Sequence, residues 1–551
     1  MKSINKFWLA GIVLVLTGAL IGGIFGRLPG KSKPGGAITQ ADVVSDFSEA
    51  LEVVDSNYID SIDREEVLDS SIQAMLWTLD PHSSFFTKDE LRKLYEEQQS
   101  EFYGIGVSIL QHRDGVYVQS VIPGTPADKA GLRFGDRIVE VEGKNATEWT
   151  SFDVSQNVRG PRGTPVEIKV ERADAKEPKE FKIVRDGVPY PSIRNHFMLN
   201  DRVGYIALTG GFQETTDSEL DASITDLKKQ GMQSLILDLR GNPGGLLPQA
   251  IEVTSRFIPK GDAVVTVKGR AAGYDTREID AVGGELDEFP LVVLINGGSA
   301  SASEIVAGAI QDYGRGLIVG TESFGKGLVQ KIYPLPYGTG MTLTTARYYT
   351  PYGRSLQRDY SSGSIYDYYT HSNGEEKEND HSGVEIEEKP TPKGTAVKTA
   401  GNRVFYGGRG IEPDIVVRGL TYTPVRARIN EAAFFFVREL VAGQIKGFES
   451  YETDKQTFAN VVPGGNIEIG DGLFNAFVSY AVGDKENGLS KSNIENELVF
   501  SQAKLREQLA TAKYSTEAGQ QMFIEQDPQV SKAVASMPDA RKLVETIMVR
   551  K

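Results

Sequence analysis

The chain has 551 residues, 40% hydrophobic and 25% charged, which is the composition of a globular protein long enough for several domains. Its net charge of −15 at pH 7 argues against a surface built to bind nucleic acid. No cysteine is present, which excludes disulfides, thiolate zinc sites and a cysteine nucleophile.

The N-terminus carries a membrane signal. Residues 7–25, FWLAGIVLVLTGALIGGIF, contain no charge and approach the ~20 residues that a helix needs to cross a bilayer. Lys2 and Lys6 precede the stretch, which favours a cytoplasmic N-terminus. Because no A-x-A-like cleavage site closes it cleanly, we expect an uncleaved signal anchor rather than a cleaved signal peptide. Residues 1–36 therefore predict an anchor and tether, with membrane contact through 7–25 and export of the bulk.

Residues 37–101 are predicted to be helical, because apolar residues recur there at intervals of three and four. The stretch DPHSSFF at 80–86 interrupts this pattern. We interpret His82, which lies within it, as a capping or turn residue.

Residues 102–187 show short strands separated by glycine turns, including PADKAGL followed by GDRIVEVEG. This order resembles a PDZ domain, which adds its ligand as a strand and holds the terminal carboxylate in a nest of backbone N–H groups. The resemblance makes four residues the candidate nest, although a plain glycine-rich strand start is the alternative. These residues are Gly104, Ile105, Gly106 and Val107.

Strands and helices alternate through residues 188–420, which predicts an α/β domain whose strands are covered by helices. Within it, residues 358–399 are polar, acidic and poor in aliphatics, so we expect a surface insertion there. Residues 421–551 are predicted to be mostly helical, and their sequence indicates no catalytic or binding motif.

Two apolar strands of this region end in motifs that can carry chemistry. The stretch ILDLRGNPGG (236–245) ends in a glycine turn whose free N–H groups can bind an oxyanion, although alone it is equally an ordinary turn. The run PLVVLI leads into NGGSASASEI, which offers three serines. Ser303 before Glu304 fits a helix N-cap, and Ser299 can simply end a loop. Any of the three could still be a nucleophile, and Ser301 is one candidate.

A nucleophilic serine needs a base that takes its proton. No histidine lies between residues 200 and 370, so a Ser–His–Asp triad would require a flanking histidine to fold in. A lysine whose pKa is lowered by burial could serve as the base instead, and Lys326 in ESFGKGLVQ is the candidate. Gln330 could orient this lysine by accepting a hydrogen bond from it. The alternatives are a solvated hairpin lysine and an outward-facing glutamine. The flanking histidines are His196, His371 and His381.

In chain order, RGNPGG, SASASEI, QDYGRGLIVG and SFGKGLVQ resemble the C-terminal processing (tail-specific) serine peptidases, which are Ser–Lys peptidases with an inserted PDZ domain. LDPHSSFF and GIEPD also match, so the resemblance covers about 42–417. It implies that Ser301 is the nucleophile, that Lys326, 25 residues later, is the base, and that Gln330 orients the base.

The resemblance further implies that the oxyanion is bound by the backbone N–H of Ala302 and by that of Gly244 or Gly245, a choice that the sequence leaves open. Glu304 and Asp312 match family positions and are interpreted as structural support. The implied mechanism calls for no metal and no cofactor.

The implied architecture is a multidomain α/β protein. An α/β peptidase core of the crotonase/Clp-protease-like kind carries an inserted, mainly β PDZ domain, an N-terminal helical region and a C-terminal helical extension. The implied activity is that of a membrane-anchored endopeptidase that recognises free C-termini of unfolded or tail-exposed proteins. We expect a single-pass protein of the bacterial inner membrane with its catalytic part in the periplasm. Residues 421–551 could bind an adaptor or mediate self-association.

Two hypotheses that assign the chain to other classes of protein remain as alternatives. A non-catalytic exported binding protein could keep this fold, but the loss of Ser301 or Lys326 would be expected, and both are present. An acyl-CoA-type enzyme could use a similar glycine oxyanion hole, but it would need neither a Ser–Lys pair, nor a PDZ domain, nor an export anchor.

Overall fold

The computed structural model describes residues 38–98, 101–270, 276–361, 368, 394–453 and 456–548. It divides into two compact units, 1–71 and 72–551. In the first unit, helix α1 (Gln40–Asn57) is followed by the first residues of helix α2 (Arg64–Trp77). α1 begins at a capping box, in which the Thr39 hydroxyl and the Asp42 carboxylate satisfy each other's backbone N–H groups. None of its side chains is buried within this unit.

The membrane prediction is corrected by the helices that the structure describes. None of these helices is long and apolar enough to cross a bilayer. The predicted anchor at 7–25 lies outside the described residues, as does the whole of 1–37. The expected single-pass location in the inner membrane, with a periplasmic catalytic part, is therefore contradicted.

In the second unit, a short segment leads into the PDZ region. That region is an antiparallel sheet in the order β3-β4-β5-β7-β8, with β6 paired to β5, while β2 pairs with β9. Val166, Ile168 and Val170 of one strand are buried and their neighbours are not, the alternation of a sheet with one face on its core. The elements are β1 (Ser84–Phe86), α3 (Lys88–Gln98), β2 (Glu101–Gly104), β3 (Val107–His112), β4 (Gly115–Val121), α4 (Pro126–Ala130), β5 (Arg137–Val141), β6 (Lys144–Asn145), α5 (Ser151–Val158), β7 (Pro165–Glu171), β8 (Lys179–Val184) and β9 (Asp186–Pro189).

The core region holds two sheets. The first has the order β10-β11-β12-β15-β16-β21, parallel except for β10, and the second has β1-β18-β13-β14 with β17 paired to β18. The elements are β10 (Ile193–Met198), β11 (Val203–Leu208), α6 (Thr216–Lys229), β12 (Ser234–Asp238), α7 (Leu247–Ser255), β13 (Ala263–Gly269), β14 (Arg277–Asp280), β15 (Leu291–Ile295), α8 (Ala302–Tyr313), β16 (Leu317–Gly320), β17 (Leu328–Pro334), β18 (Gly340–Tyr349), β19 (Ala396–Lys398), β20 (Val404–Tyr406) and β21 (Ile415–Val416).

The central parallel strands explain where a site can form. Every residue of β12 and β15 is buried, because helices cover both faces of the sheet. Since β12, β15 and β16 run in the same direction, their carboxyl ends meet at one edge of the sheet. In open α/β sheets this edge is where ligands bind. The glycine turn, the serine motif and the lysine motif follow these three strands in that order.

The C-terminal extension is helical, as predicted, and it contacts both the PDZ region and the core. Phe434 and Phe477 share an apolar cluster with Tyr117 and Phe134 of the PDZ region. Other helices of the extension cover the face of the central sheet opposite to α7 and α8. Its helices are α9 (Pro424–Val441), α10 (Asp471–Gly483), α11 (Lys491–Asn496), α12 (Leu498–Lys513), α13 (Thr516–Phe523), α14 (Pro528–Ala535) and α15 (Met537–Met548).

Candidate active site

Ser301 occupies the sharp turn between β15 and α8, where it is the residue preceding the first helical turn. Its backbone has φ 55° and ψ −110°, a conformation that residues with a side chain rarely adopt. Such strain costs on the order of 1–3 kcal/mol and is concentrated at functional sites. Ser301 is only partly buried, whereas Ala302 and Ser303 after it are buried.

The glycine turn after β12 lies directly against this serine. A Cβ atom placed on Gly244 would come within 2.8 Å of Ser301 Cβ and within 2.9 Å of the Ala302 nitrogen. The two loops are also bonded, because Asn242 O accepts from the Ala300 N–H at 3.0 Å and from the Ser303 hydroxyl at 2.9 Å. Ser303 is therefore not the N-cap that we predicted: its hydroxyl holds the glycine turn instead.

The hydrogen bonds of the turn distinguish its two last glycines. The Gly244 N–H donates to Asn242 Oδ1 at 2.9 Å and is therefore occupied. Among the described residues, no group accepts a hydrogen bond from the N–H of Gly245 or from that of Ala302. The choice that the sequence left open thus falls on Gly245 as the glycine with an available donor.

Glu304 links the serine turn to the lysine loop. This carboxylate is fully buried in the first turn of α8, and four donors point at it. Its Oε2 accepts from the N–H of Ser301 at 2.8 Å and from the N–H of Lys326 at 2.9 Å. Its Oε1 accepts from the Ser323 hydroxyl at 2.5 Å and from the Gly325 N–H at 2.7 Å. One oxygen thus holds the main chains of Ser301 and Lys326 together.

Lys326 lies in the loop between β16 and β17 and is partly buried there. Burial lowers the pKa of its ammonium group, although the negative charges of Glu304 and Asp80 oppose this shift. Among the described side chains, none forms an ion pair with Lys326. These surroundings favour a neutral amine, which is the form that can accept a proton.

Gln330 follows in β17, with its side-chain Nε2 donating to Thr344 Oγ1 at 3.2 Å. No described group donates to its Oε1, which leaves that oxygen available as an acceptor. Thr344 is itself fixed, because its N–H donates to the Ser83 hydroxyl oxygen at 3.1 Å. The Gln330 side chain is partly buried, so it is not the fully solvent-facing residue that the alternative describes.

The DPHSSFF stretch contributes residues whose position the sequence did not reveal. Asp80 accepts from the His82 N–H at 2.8 Å and from the Ser83 hydroxyl at 2.8 Å, so it caps this turn itself. The His82 ring bonds the hydroxyl of Tyr368 at 2.8 Å. Burial, followed by the positive charge of Lys326, lowers the pKa of His82 to about 3. His82 is therefore a neutral side chain near Lys326, a placement that depends on the pairing of β1 with β18.

The histidine alternative finds no support among the described residues. His196 lies in β10 and contacts Asp226 at 3.3 Å and Ser223 at 3.4 Å, both on α6. The Ser223 hydroxyl is buried and donates to the carbonyl of Glu219, so this group is structural. The other two candidates, at positions 371 and 381, lie outside the described residues.

Asp312 lies near the C-terminal end of α8 and is fully buried. It forms an ion pair of 2.6 Å with Arg354 and accepts from the Tyr352 N–H at 3.0 Å. These bonds join the helix to the segment after β18. No group of three or more His, Asp or Glu side chains that could hold a metal occurs among the described residues.

In the PDZ region, the predicted nest runs from the last residue of β2 to the first residue of β3. No described group accepts a hydrogen bond from the N–H of Ile105 or Gly106. Gly106 has φ 88°, and a Cβ there would lie 2.3 Å from Thr125 Cβ, so only glycine fits. The adjoining β3 is an edge strand of its sheet, with α5 packed beside it.

Two parts of the chain match known families. Residues 202–369 match peptidase family S41, and residues 104–183 match the PDZ domain. The carboxy-terminal-processing protease of Bartonella bacilliformis is 41% identical over 316 residues, which are 56% of this chain and 72% of the relative. The carboxy-terminal processing protease CtpB of Bacillus subtilis is 31% identical over 330 residues, which are 58% of this chain and 68% of the relative.

A solved structure of a photosystem II D1 C-terminal processing protease aligns at 27% identity with a TM-score of 0.35, covering 69% of this chain and 94% of that one. The PDZ domain of a carboxy-terminal protease from Vibrio cholerae, solved with a peptide, aligns at 33% identity with a TM-score of 0.14, covering 16% of this chain and 96% of that one. The family assignment rests on the identity to the Bartonella and Bacillus proteases over most of their length. The chain belongs to the carboxy-terminal processing proteases of peptidase family S41, serine peptidases, and it carries a PDZ domain.

Proposed function

We propose that this chain cleaves protein tails through an acyl-enzyme on Ser301, with Lys326 as the general base. One observation carries the proposal: a single oxygen, Glu304 Oε2, accepts from the N–H groups of both residues and so keeps their main chains adjacent. The burial that lowers the Lys326 pKa supports the same assignment, because a base must be neutral before it can accept a proton.

In the acylation step, neutral Lys326 takes the proton of the Ser301 hydroxyl while Oγ attacks the scissile carbonyl carbon. The N–H groups of Gly245 and Ala302 bind the resulting oxyanion, and one such donor contributes about 3–4 kcal/mol in a transition state. The Lys326 ammonium then gives its proton to the leaving amine, which departs with the C-terminal fragment. The bond between Oγ and the acyl carbon remains.

In the deacylation step, Lys326 takes a proton from water, and the hydroxide attacks the acyl carbon in the same oxyanion hole. Collapse of this intermediate breaks the ester, returns the proton to Ser301 Oγ and releases a new C-terminus. Gln330 orients the lysine in both steps by accepting a hydrogen bond at its Oε1. This role is compatible with the bond that holds its Nε2 on Thr344.

Substrate selection is assigned to the PDZ domain. The substrate tail adds as a strand to the edge of β3, and its terminal carboxylate binds the N–H groups of the segment from Gly104 to Val107. The available N–H groups of Ile105 and Gly106 support this assignment. A free carboxylate is then required, and an amidated tail is a poor ligand.

The test compares the full chain with Ser301→Ala and Lys326→Ala on a reporter protein that ends in a disordered apolar tail. We expect cleavage by the wild type alone, and slower cleavage when the same tail is amidated. Ser479→Ala is a matched control, because its exposed hydroxyl donates to Asn475 O, within a helix of the C-terminal extension. That variant should retain cleavage unless it unfolds, which circular dichroism would reveal.

Cleavage that survives Ser301→Ala would overturn the nucleophile, and cleavage that survives Lys326→Ala would overturn the base. Equal cleavage of the free and the amidated tail would remove the carboxylate nest from substrate selection. The pH profile adds a further check. Because Lys326 acts unprotonated, kcat/KM should rise with pH through its lowered pKa and reach its plateau below the ordinary lysine range.

A further inference from the structure

A guanidinium group ties the start of the glycine turn to the C-terminal extension. Arg240 follows β12, and its Nε donates to Asp238 Oδ1 at 2.9 Å. Its Nη1 donates to Asp527 Oδ2 at 2.6 Å and to Gln529 Oε1 at 2.7 Å. The last two residues flank the first residue of α14. One side chain therefore connects a core strand to the beginning of a helix that is far away in the sequence.

Both partners of Arg240 on the extension are fixed by bonds of their own. Asp527 Oδ1 accepts from the N–H groups of Gln529 at 2.8 Å and of Val530 at 3.2 Å, which makes this residue the N-cap of α14. Gln529 is buried, and its Nε2 donates to the carbonyl of Val417 at 2.8 Å. The contact is thus held rigidly on the side of the extension.

The helix that carries these residues is also fixed to the core. Val530 and Ala533 of α14 are buried in an apolar cluster with Ile236, Leu294 and Val319 of the central sheet. Because a helix packed on three strands cannot shift freely, the carboxylate and the amide oxygen present fixed acceptors to the guanidinium. Charge-assisted bonds of this kind set geometry as well as energy.

The same turn ends at Gly245, four residues beyond Gly241. Within this turn, the Gly241 N–H donates to Asn296 Oδ1 at 2.9 Å, and the Asn242 side chain donates to Leu208 O at 2.7 Å. These bonds fix the middle of the turn, and the Arg240 contact fixes its first residue. An effective donor lies about 2.7–3.1 Å from the oxyanion, and its position must be held to within about 0.5 Å, so the anchoring of the turn affects catalysis.

We propose that Asp527 and Gln529 are positioning residues for the oxyanion-binding N–H of Gly245, so that the C-terminal extension is part of the catalytic unit. This inference rests on the proposed role of Gly245. Weakening the contact with Arg240 displaces the donor from the place where the oxyanion forms. The ground-state complex is little affected, because the substrate tail is held elsewhere.

The test uses the full chain and separates the two functions of Asp527. Asp527→Ser and Asp527→Asn both keep an oxygen that can cap α14, but neither keeps the acceptor for Arg240. Serine is too short to reach the guanidinium, and an asparagine whose one oxygen caps the helix turns its NH2 group towards Arg240. We expect kcat to fall about tenfold in both variants with KM unchanged, because both lose the bond from Arg240. Asp539→Ala, which breaks an exposed ion pair with Lys542 on α15, is the matched control with unchanged kcat.

A peptide aldehyde supplies the readout that a purely structural role would not change. It forms a tetrahedral adduct with the serine whose oxygen occupies the oxyanion hole, so its inhibition constant should rise in parallel with the fall in kcat. Binding of a free-carboxylate peptide to the PDZ domain should stay unchanged. Thermal unfolding of Asp527→Ser should remain close to that of Asp527→Asn.

The outcomes separate this inference from the proposed function. If Asp527→Ser cleaves like the wild type while Ser301→Ala is inactive, the positioning role is wrong and the Ser–Lys assignment stands. If KM rises and kcat is unchanged, the contact supports substrate binding instead, and the inference is again wrong. If Ser301→Ala remains active, the proposed function is wrong, and the inference that rests on it is overturned as well.

Discussion

Glu304→Gln is the substitution that most directly tests the architecture of the site. The carboxylate accepts four bonds, two on each oxygen, and no side chain other than that of Ser323 is among the donors. Glutamine keeps one acceptor oxygen and replaces the other by an NH2 group. In either orientation this NH2 group faces two donors, so at least two of the four bonds are disrupted.

The magnitude follows from these bonds. A hydrogen bond to a charged group contributes about 1.5–3 kcal/mol, so the loss of two amounts to about 3–6 kcal/mol. Part of this is offset, because the variant no longer buries an ionised group, and burial already raises the pKa of Glu304. We expect a loss of about 2–4 kcal/mol in the free energy of unfolding, together with a fall of about 100-fold in kcat, because the reacting groups move apart.

The assay combines thermal unfolding with cleavage of the tailed reporter. Glu322→Gln is the control, because this neighbouring carboxylate pairs with Arg409 and does not contact the main chain of Ser301 or Lys326. It should change kcat by less than about twofold, as expected for a single partly exposed ion pair. Wild-type kcat and wild-type unfolding in Glu304→Gln would show that Glu304 does not hold the two loops together.

Three further substitutions are predicted from the same geometry. Lys326→Met should abolish cleavage but stabilise the fold near pH 7. Because the folded-state pKa of Lys326 is lowered, the free energy of unfolding of the wild type increases as pH rises towards the ordinary lysine pKa. The stability difference between Lys326→Met and the wild type, measured by thermal unfolding, should therefore shrink over that range. Gly244→Ala should lower kcat about 100-fold or more, because its Cβ would lie 2.8 Å from Ser301 Cβ; retained activity would contradict the close contact. Gly106→Ala should weaken binding of a free-carboxylate peptide, measured by fluorescence anisotropy, and leave cleavage of a tail-independent peptide intact, because its Cβ would collide with Thr125. Equal peptide affinity would show that the segment tolerates a side chain and is not a tight nest.

Much of the fold and the location of the site follow from local patterns in the sequence. The buried runs SLILD and LVVLI are readable as core strands, because uninterrupted apolar residues require both faces to be covered. The motifs that carry chemistry follow such strands directly. Parallel neighbours bring their carboxyl ends to one edge, so the glycine turn, Ser301 and Lys326 are expected to meet.

Other features depend on contacts between segments that no local pattern relates. Ser303 has the sequence of an N-cap, yet its hydroxyl bonds Asn242, because the glycine turn packs beneath the helix. His82 has the sequence of a turn residue, and only the pairing of β1 with β18 brings it near Lys326. In both cases the partner comes from a separate strand or turn.

The family, the order of the regions and the residue types available for catalysis are all predictable from the sequence, because they depend on short motifs and on the period of apolar residues. The tertiary structure was needed to establish that the N–H of Gly244 is occupied and that of Gly245 available, since this depends on where the Asn242 side chain points. It likewise decided that Asp527, 287 positions after Arg240, holds the beginning of the glycine turn. Hydrogen bonds between distant segments form wherever packing brings the two groups together, and packing is a property of the whole fold.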